Sequence, residues 1–483
     1  MDLNLRTYGF LFSALVLLII GMFLPSTIAL ILLTGVFTVF SFLKPKQALL
    51  LLLLYVPIRP ILIEMNPSLK LIGDAVTFIV LLRVLYDTRK DWKSWFHFHI
   101  FEWGFFAFLL IGSFVGLLMG VSPGAVIFQL RTFLIMYLLY FIVSRMKLDK
   151  KDYIDFAWVT ILVGIVISVH GIVEKLSLRQ FLLPESWSAK TLSATNIVRI
   201  YGMTGNPNSL AIFMGFAIVC TLYLLYEVKV AQRKLLFGTL VLFSGILLLT
   251  YSRGTWIALV VGLIIFILLA RKWNIISPLI IASLLGFILV YTPVNYGVQF
   301  VKTLDLDIEH NADNVGGTLG GRLGELTSEE NIDLMVESGR IFYIKKGFEV
   351  FKDYPVLGSG FGTFGDSATL SYGSPIYQNY GIRSDIYGGK NFYSDNQYIQ
   401  VIAETGALGI ISFAVFLLGL LLMFWKRRQE KVFLSNFMIA LWFSTGVMGL
   451  FYNIWELKLF TLFYFILLGA FTIKQRKGKT STL

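Results

Sequence analysis

Disulfide chemistry is excluded at the outset, because 483 residues include one cysteine, Cys220, and no internal cross-link can form. Charge is scarce as well. Asp, Glu, Lys and Arg make up 14% of the chain, against about 25% in an ordinary soluble domain, so a water-soluble globule is excluded. Long polar stretches are missing with one exception, between Thr292 and Gln400. There is no Walker-type phosphate loop, and the one N-x-[ST] tripeptide, Asn66-Pro67-Ser68, is disqualified by its proline. His97, His99, His170 and His310 are scattered, with no pair at zinc-ligand spacing in a common site.

What the chain has is apolar length. Hydrophobic residues reach 57%, and runs long enough to cross a bilayer recur from end to end. Fourteen segments read as spans, with limits near 8–24, 26–43, 48–64, 71–86, 101–120, 125–143, 154–174, 207–226, 235–250, 255–270, 275–291, 403–425, 433–452 and 457–473. Pro57 and Pro60 interrupt the third, which is expected to be kinked or partial. The expected fold is an all-α, polytopic integral membrane protein of 12–14 spans. The first run passes into the second through Pro25-Ser26 without a cleavage site and is expected to be retained.

Basic loops follow every even-numbered span: Lys44 and Lys46; Arg89, Lys90 and Lys93; Arg145, Lys147, Lys150 and Lys151; Lys229, Arg233 and Lys234; Arg271 and Lys272; Lys426, Arg427, Arg428 and Lys431; then the tail with Lys474, Arg476, Lys477 and Lys479. By the positive-inside rule both termini are cytoplasmic. The net charge of +12 is then topological, with some attraction to anionic lipid, and a nucleic-acid partner is not expected. The expected organisation is a bundle over 1–291, an extracytoplasmic segment over 292–402, C-terminal spans over 403–473 and a basic tail over 474–483.

The outer segment divides into three. Residues 303–337 are acidic and glycine-rich. Residues 338–353 read as an amphipathic helix in the outer interface, with Ile341, Ile344, Phe348 and Phe351 on one face. Gly358, Gly360 and Gly362 then punctuate a turn; this GxGxG follows no buried strand, so a dinucleotide site is not expected.

Arginines collect at the outer boundary: Arg199 before one span, Arg253 in the turn TYSRGTW, Arg340 at the start of the amphipathic helix, and Arg131 a turn or two inside a span. Each is either a headgroup-snorkelling residue or part of a site. A planar guanidinium fork suits diphosphate oxygens. Asp395 in SDNQYIQVIAETGALG is either the cap of the next helix or a base for a sugar hydroxyl. Glu404, nine residues on, is the second candidate catalytic carboxylate, and it is also expected to pair with an arginine. Asp305-Leu-Asp307 resembles a metal-chelating pair but reads as ordinary loop, and no metal or cofactor is expected.

Four segments, RIYGMTGNPNSLA (199–211), YSRGTWIAL (251–259), SGRIFYIKKGFEVFKDYPVLGSGFGTF (338–364) and SDNQYIQVIAETGALG (394–409), resemble in order and spacing those of the O-antigen ligase and O-antigen polymerase superfamily of bacterial membrane glycosyltransferases. The likeness covers about 195–425. It implies a GT-C-like fold in the bacterial cytoplasmic membrane and metal-independent transfer. It also implies an undecaprenyl-diphosphate-linked saccharide as donor, and other polysaccharide-assembly proteins as partners. Arg199 and Arg253 would hold the diphosphate, with Arg340 as a further contact. Many ligases begin the last motif with His-Asn; Asp395-Asn396 stands here, which favours a polymerase, of capsule or teichuronic acid type, over a ligase. A flippase or exporter of lipid-linked saccharide is the alternative from another class; the large late loop and the lack of an internal repeat count against it.

Overall fold

The computed structural model describes residues 5–190, 192, 194–227, 229–304, 339–382, 393–430 and 432–473. Asp305, Asp307, His310, nearly all of the acidic 303–337 stretch, Lys431 and the basic tail 474–483 lie outside these residues.

Among the described residues the chain is helical and contains no strand. Each expected span corresponds to a helix, and ten are long and apolar enough to cross a membrane. Three shorter apolar helices, Tyr8–Phe23, Val432–Met448 and Lys458–Thr472, accompany them, with Ile72–Thr88 as the remaining one. The fold is an all-α polytopic membrane protein.

Two expectations require correction, at the third and the eleventh run. The third run is one unbroken helix, Pro45–Met65, despite Pro57 and Pro60. Most of its length is buried among other helices, which shield the carbonyls the prolines leave free. The eleventh run does not stop at 291. A π-helical turn over Phe287–Tyr291 carries it on through Thr292–Thr303; Pro293 falls in the first turn of that extension, where proline is tolerated. The amphipathic helix forms as Arg340–Asp353; it docks on the protein through Tyr343, Gly347 and Val350 and leaves Ile341 and Phe348 of the face named from the sequence exposed. Gly347 is the reason. It lets Ile399 approach so closely that a Cβ would lie 2.3 Å from its Cγ1, and the face carrying the glycine becomes the docked one.

The basic loops meet at one end of the bundle. Lys46 pairs with Asp152 at 2.5 Å, Lys150 with Glu227 at 2.6 Å, Arg145 donates to the Ser94 carbonyl, and Arg428 donates to the Leu269 carbonyl. The opposite end carries the starts of Pro123–Arg145, Pro207–Glu227, Arg253–Ala270, Gln397–Lys426 and Lys458–Thr472.

At that opposite end the turn after Asp353 is not a surface loop. Residues 355–366 thread into the bundle. The Ser359 and Gly360 amides donate to the Ala403 and Glu404 carbonyls at 3.0 and 2.7 Å, and the Phe361 amide donates to the Gly112 carbonyl at 2.8 Å. Phe361 is fully buried against Phe108 and Phe133. Its partner helix, Gln397–Lys426, breaks at Gly406 (φ +57°), and the amides of Ala407 and Leu408 turn to the carbonyls of Pro355 and Val356. Irregular backbone here is stable because the broken span and the threaded segment satisfy each other's groups and protein surrounds both.

Candidate functional site

The loop before Pro207–Glu227 is anchored from below. The buried Glu174 carboxylate accepts from the amides of Tyr201 and Gly202 at 3.0 and 2.7 Å and pairs with Arg179. Lys175 donates to the Val198 carbonyl. Gly202 and Gly205 take left-handed conformations in this loop. Arg199 is thereby held against the next turn: its Nε donates to the Thr250 carbonyl at 2.8 Å, and its Nη2 to Asn208 Oδ1 at 2.5 Å.

That turn is built around Tyr251, a non-glycine residue at φ +51° whose hydroxyl meets that of Tyr291 at 2.8 Å. Ser252 Oγ donates to Asn208 Oδ1 and contacts the Tyr452 hydroxyl. Arg253 follows as the first residue of its helix. Gly254 lies under Phe451, where a Cβ would approach the ring to 2.6 Å. The same Phe451 receives Arg340, whose guanidinium sits 5.6 Å from the ring centre and donates to the Phe451 carbonyl at 3.4 Å.

Asp395 completes the group. Asn396, not Asp395, caps the following helix: its Oδ1 accepts from the amides of Tyr398 and Ile399 at 3.0 and 3.1 Å. Asp395 is left in a left-handed conformation at φ +48°, strain that the Asn396 amide and Ser394 Oγ hold by both donating to Asn453 Oδ1. Burial pushes its carboxyl above the usual carboxylate range, and the charges of Arg340 and Arg199 pull it back. The structure thus brings Arg199, Arg253, Arg340 and Asp395 to one place, where the helices starting at Pro207, Arg253, Arg340 and Gln397 also aim the positive ends of their dipoles. The guanidinium groups of Arg199 and Arg340 act on that one carboxylate, and Arg253 opens the helix at the adjoining turn, an arrangement suited to an added anion.

Two expected members lie elsewhere. Arg131 pairs with Asp74 on a neighbouring helix, because a position eight residues into its helix sits about 12 Å below the helix start. Glu404 does not pair with an arginine among the described residues. It is fully buried, accepts from the Phe364 amide at 3.0 Å and from Gln400 at 2.9 Å, and faces Asp366 and Glu456. These three carboxyls grip the threaded segment: Asp366 accepts from the amides of Gly362 and Thr369, and Glu456 from Ser367. Burial and mutual repulsion raise the carboxyl of Glu456 to about 8. Glu404 therefore anchors backbone and is placed to act on the site only through Gly360 and Phe364.

Sequence reading missed Asn208, Ser252, Phe451, Tyr452 and Asn453. Phe451 to Asn453 sit in FYNIWE beyond the recognised motifs, where the polar run between two spans was the available signal.

Fold and site define a multi-pass membrane protein with a cationic, carboxylate-bearing site at one end. Residues 238–414 match the model of a family described as O-antigen ligase. The matched stretch includes Arg253, Arg340, Asp395 and Glu404, and leaves Arg131 and Arg199 before it. Over that stretch the chain is similar to the O-antigen ligase and polymerase superfamily, a likeness that indicates a glycosyltransferase-like membrane enzyme of polysaccharide assembly. No curated protein matches the chain.

Proposed function

We propose that this protein is a polysaccharide polymerase of GT-C type. It transfers a glycan from undecaprenyl diphosphate to a second lipid-linked saccharide, without a metal, at the outer face of the cytoplasmic membrane. The observation that carries the reading is the placement of Arg199 and Arg340 by the Asp395 carboxylate, with Arg253 at the adjoining turn, at the end opposite the basic loops. The positive-inside rule puts that end outside.

The chemistry follows from the groups. The acceptor hydroxyl oxygen attacks the anomeric carbon, the bond from that carbon to the phosphate oxygen breaks, and the diphosphate leaves with the electron pair. Its developing charge meets guanidinium groups already fixed by Thr250, Asn208 and Phe451; such preorganised donors are worth about 10²–10³-fold each in rate. The hydroxyl proton passes to Asp395, whose raised carboxyl affinity makes it a better acceptor than an exposed aspartate. Glu404, Asp366 and Glu456 hold the threaded segment that walls the site.

The family description favours one second reading, a ligase that passes the glycan to a different acceptor. Reconstitution with purified lipid-linked repeat units separates the readings. Lengthening on the lipid carrier supports the polymerase, and transfer only to an added non-lipid-linked acceptor supports the ligase. Movement of lipid across the bilayer without any transfer overturns both.

A further inference from the structure

Arg131 was excluded from the first site, yet it does not stand alone. Four helices converge on Asp74: Pro45–Met65 with Arg59, Ile72–Thr88 with Asp74 itself, Pro123–Arg145 with Arg131, and Lys458–Thr472 with Lys458. Arg131 pairs with Asp74, Lys458 Nζ lies 3.8 Å from the other Asp74 oxygen, and Arg59 lies beside the Tyr55 hydroxyl within electrostatic reach of Lys458. The side chains are recessed but not sealed: Arg131 is 33% exposed, Lys458 20% and Asp74 18%.

Three cations thus surround one carboxylate. The other acids nearby do not make up the difference. Glu64 is exposed and accepts from Ser186. Glu456 accepts from Ser367, and burial keeps its carboxyl up at about 8, so it is mostly uncharged at neutral pH. An excess of two positive charges held among apolar helices at the membrane boundary is costly unless an anion joins them.

Its position matters as much as its charge. Lys458 and Phe451, the platform of Arg340, are seven residues apart, hence at most about 25 Å even if extended. On the other flank Pro60, next to Arg59, packs 3.5 Å from where a Cβ of Gly205 would stand, in the loop that begins at Arg199. Both cationic groups therefore border the same pair of loops, 199–206 and 449–457.

We infer that Arg59, Arg131 and Lys458 form a second phosphate site, which holds the diphosphate of the lipid-linked acceptor while Arg199, Arg253 and Arg340 hold that of the donor. This rests on the polymerase reading and deepens it: a polymerase must bind two diphosphate lipids at once, and a ligase need not.

The test is binding stoichiometry on the purified full-length protein in nanodiscs of neutral phosphatidylcholine, with geranylgeranyl diphosphate as probe and native mass spectrometry as readout. Two probe molecules are expected on the wild type. The double variant Arg59→Gln/Lys458→Gln leaves the Arg131–Asp74 pair intact and should bind one, with at least a tenfold loss at the second site. Arg59→Lys/Lys458→Arg keeps the charge and should still bind two, and thermal unfolding should show both variants folded. In the transfer assay the Gln double variant should raise the KM for acceptor at least tenfold and leave the KM for donor unchanged. One bound probe on the wild type, lost on Arg199→Gln/Arg253→Gln, would overturn the second site and leave the donor site standing. Displacement of the second probe by phosphatidylglycerol at equal concentration would assign the pocket to a phospholipid headgroup and overturn the acceptor role.

Discussion

Asp395 and Asn396 divide between them two tasks that either could perform alone. Asn396 takes the cap, and Asp395 is turned by its positive φ toward the charges of Arg199 and Arg340. The substitutions at the two positions should therefore differ in kind. Asn396→Ala removes an N-cap and should cost about 1 kcal/mol of stability, read as a lower unfolding midpoint. Asp395→Asn keeps a short polar side chain that tolerates the left-handed region but takes no proton at neutral pH. It should leave the unfolding midpoint near that of the wild type while transfer falls about 10²–10⁴-fold. Because the base must be ionised and its carboxyl is raised by burial, the acid limb of the wild-type pH–rate profile should lie above that of an exposed aspartate, with rate lost as pH falls through it. A limb unmoved by Asp395→Glu would assign it to another group. At Arg199, lysine should not substitute for arginine: Nε and Nη2 bind Thr250 and Asn208 separately, and a point charge cannot serve both. Transfer in Arg199→Lys should match Arg199→Ala within tenfold.

The elements that carry these residues were legible where length and apolarity decide, and hidden where contacts between distant segments decide. Spans announced themselves because bilayer thickness sets a helix length, and the four motifs were visible because each opens a helix with a charged or glycine-bearing turn. The threaded segment was not visible. GSGFGTF reads as a surface turn, since nothing local says that Phe361 will lie between Phe108 and Phe133 or that Gly406 will break a span to receive it. Glu404 was misread for the same reason, because its partners Phe364 and Asp366 come from the segment it holds. Gly360 shows how tight the fit is: at φ +87° a Cβ would lie 2.0 Å from the Gly116 amide nitrogen. Gly360→Ala should strip transfer activity and expose the segment to protease. Glu456 gives a pH test of the same element. Its folded carboxyl affinity, about 8, exceeds the unfolded value, so the folded state holds the proton between roughly pH 4.5 and 8. Stability from this group is then present at acid pH and lost as pH rises through that window. Hydrogen exchange of 362–369 should speed up between pH 5 and 8 in the wild type, and Glu456→Gln should remove that part of the dependence.

At the scale of the whole molecule, one end gathers the lysine and arginine loops and the other gathers helix starts, the arginine–aspartate site and the acidic threaded wall. On the proposed function, reaction and anchoring are segregated along the bundle axis, as an enzyme working at one membrane face requires. Sidedness can be read directly: a cysteine at the exposed Ser371 should label in intact cells with an impermeant thiol reagent, and one at the exposed Lys151 should not. The measurement that bears most directly on the account is transfer itself. Purified protein in liposomes is supplied with one purified undecaprenyl-diphosphate-linked repeat unit and no nucleotide, with a chelator present, and product length is resolved on a gel. A ladder of lipid-linked products that vanishes in Arg253→Ala and in Asp395→Asn is the predicted result. A ladder of wild-type length in both variants, or none from the wild type with its authentic repeat unit, would contradict it.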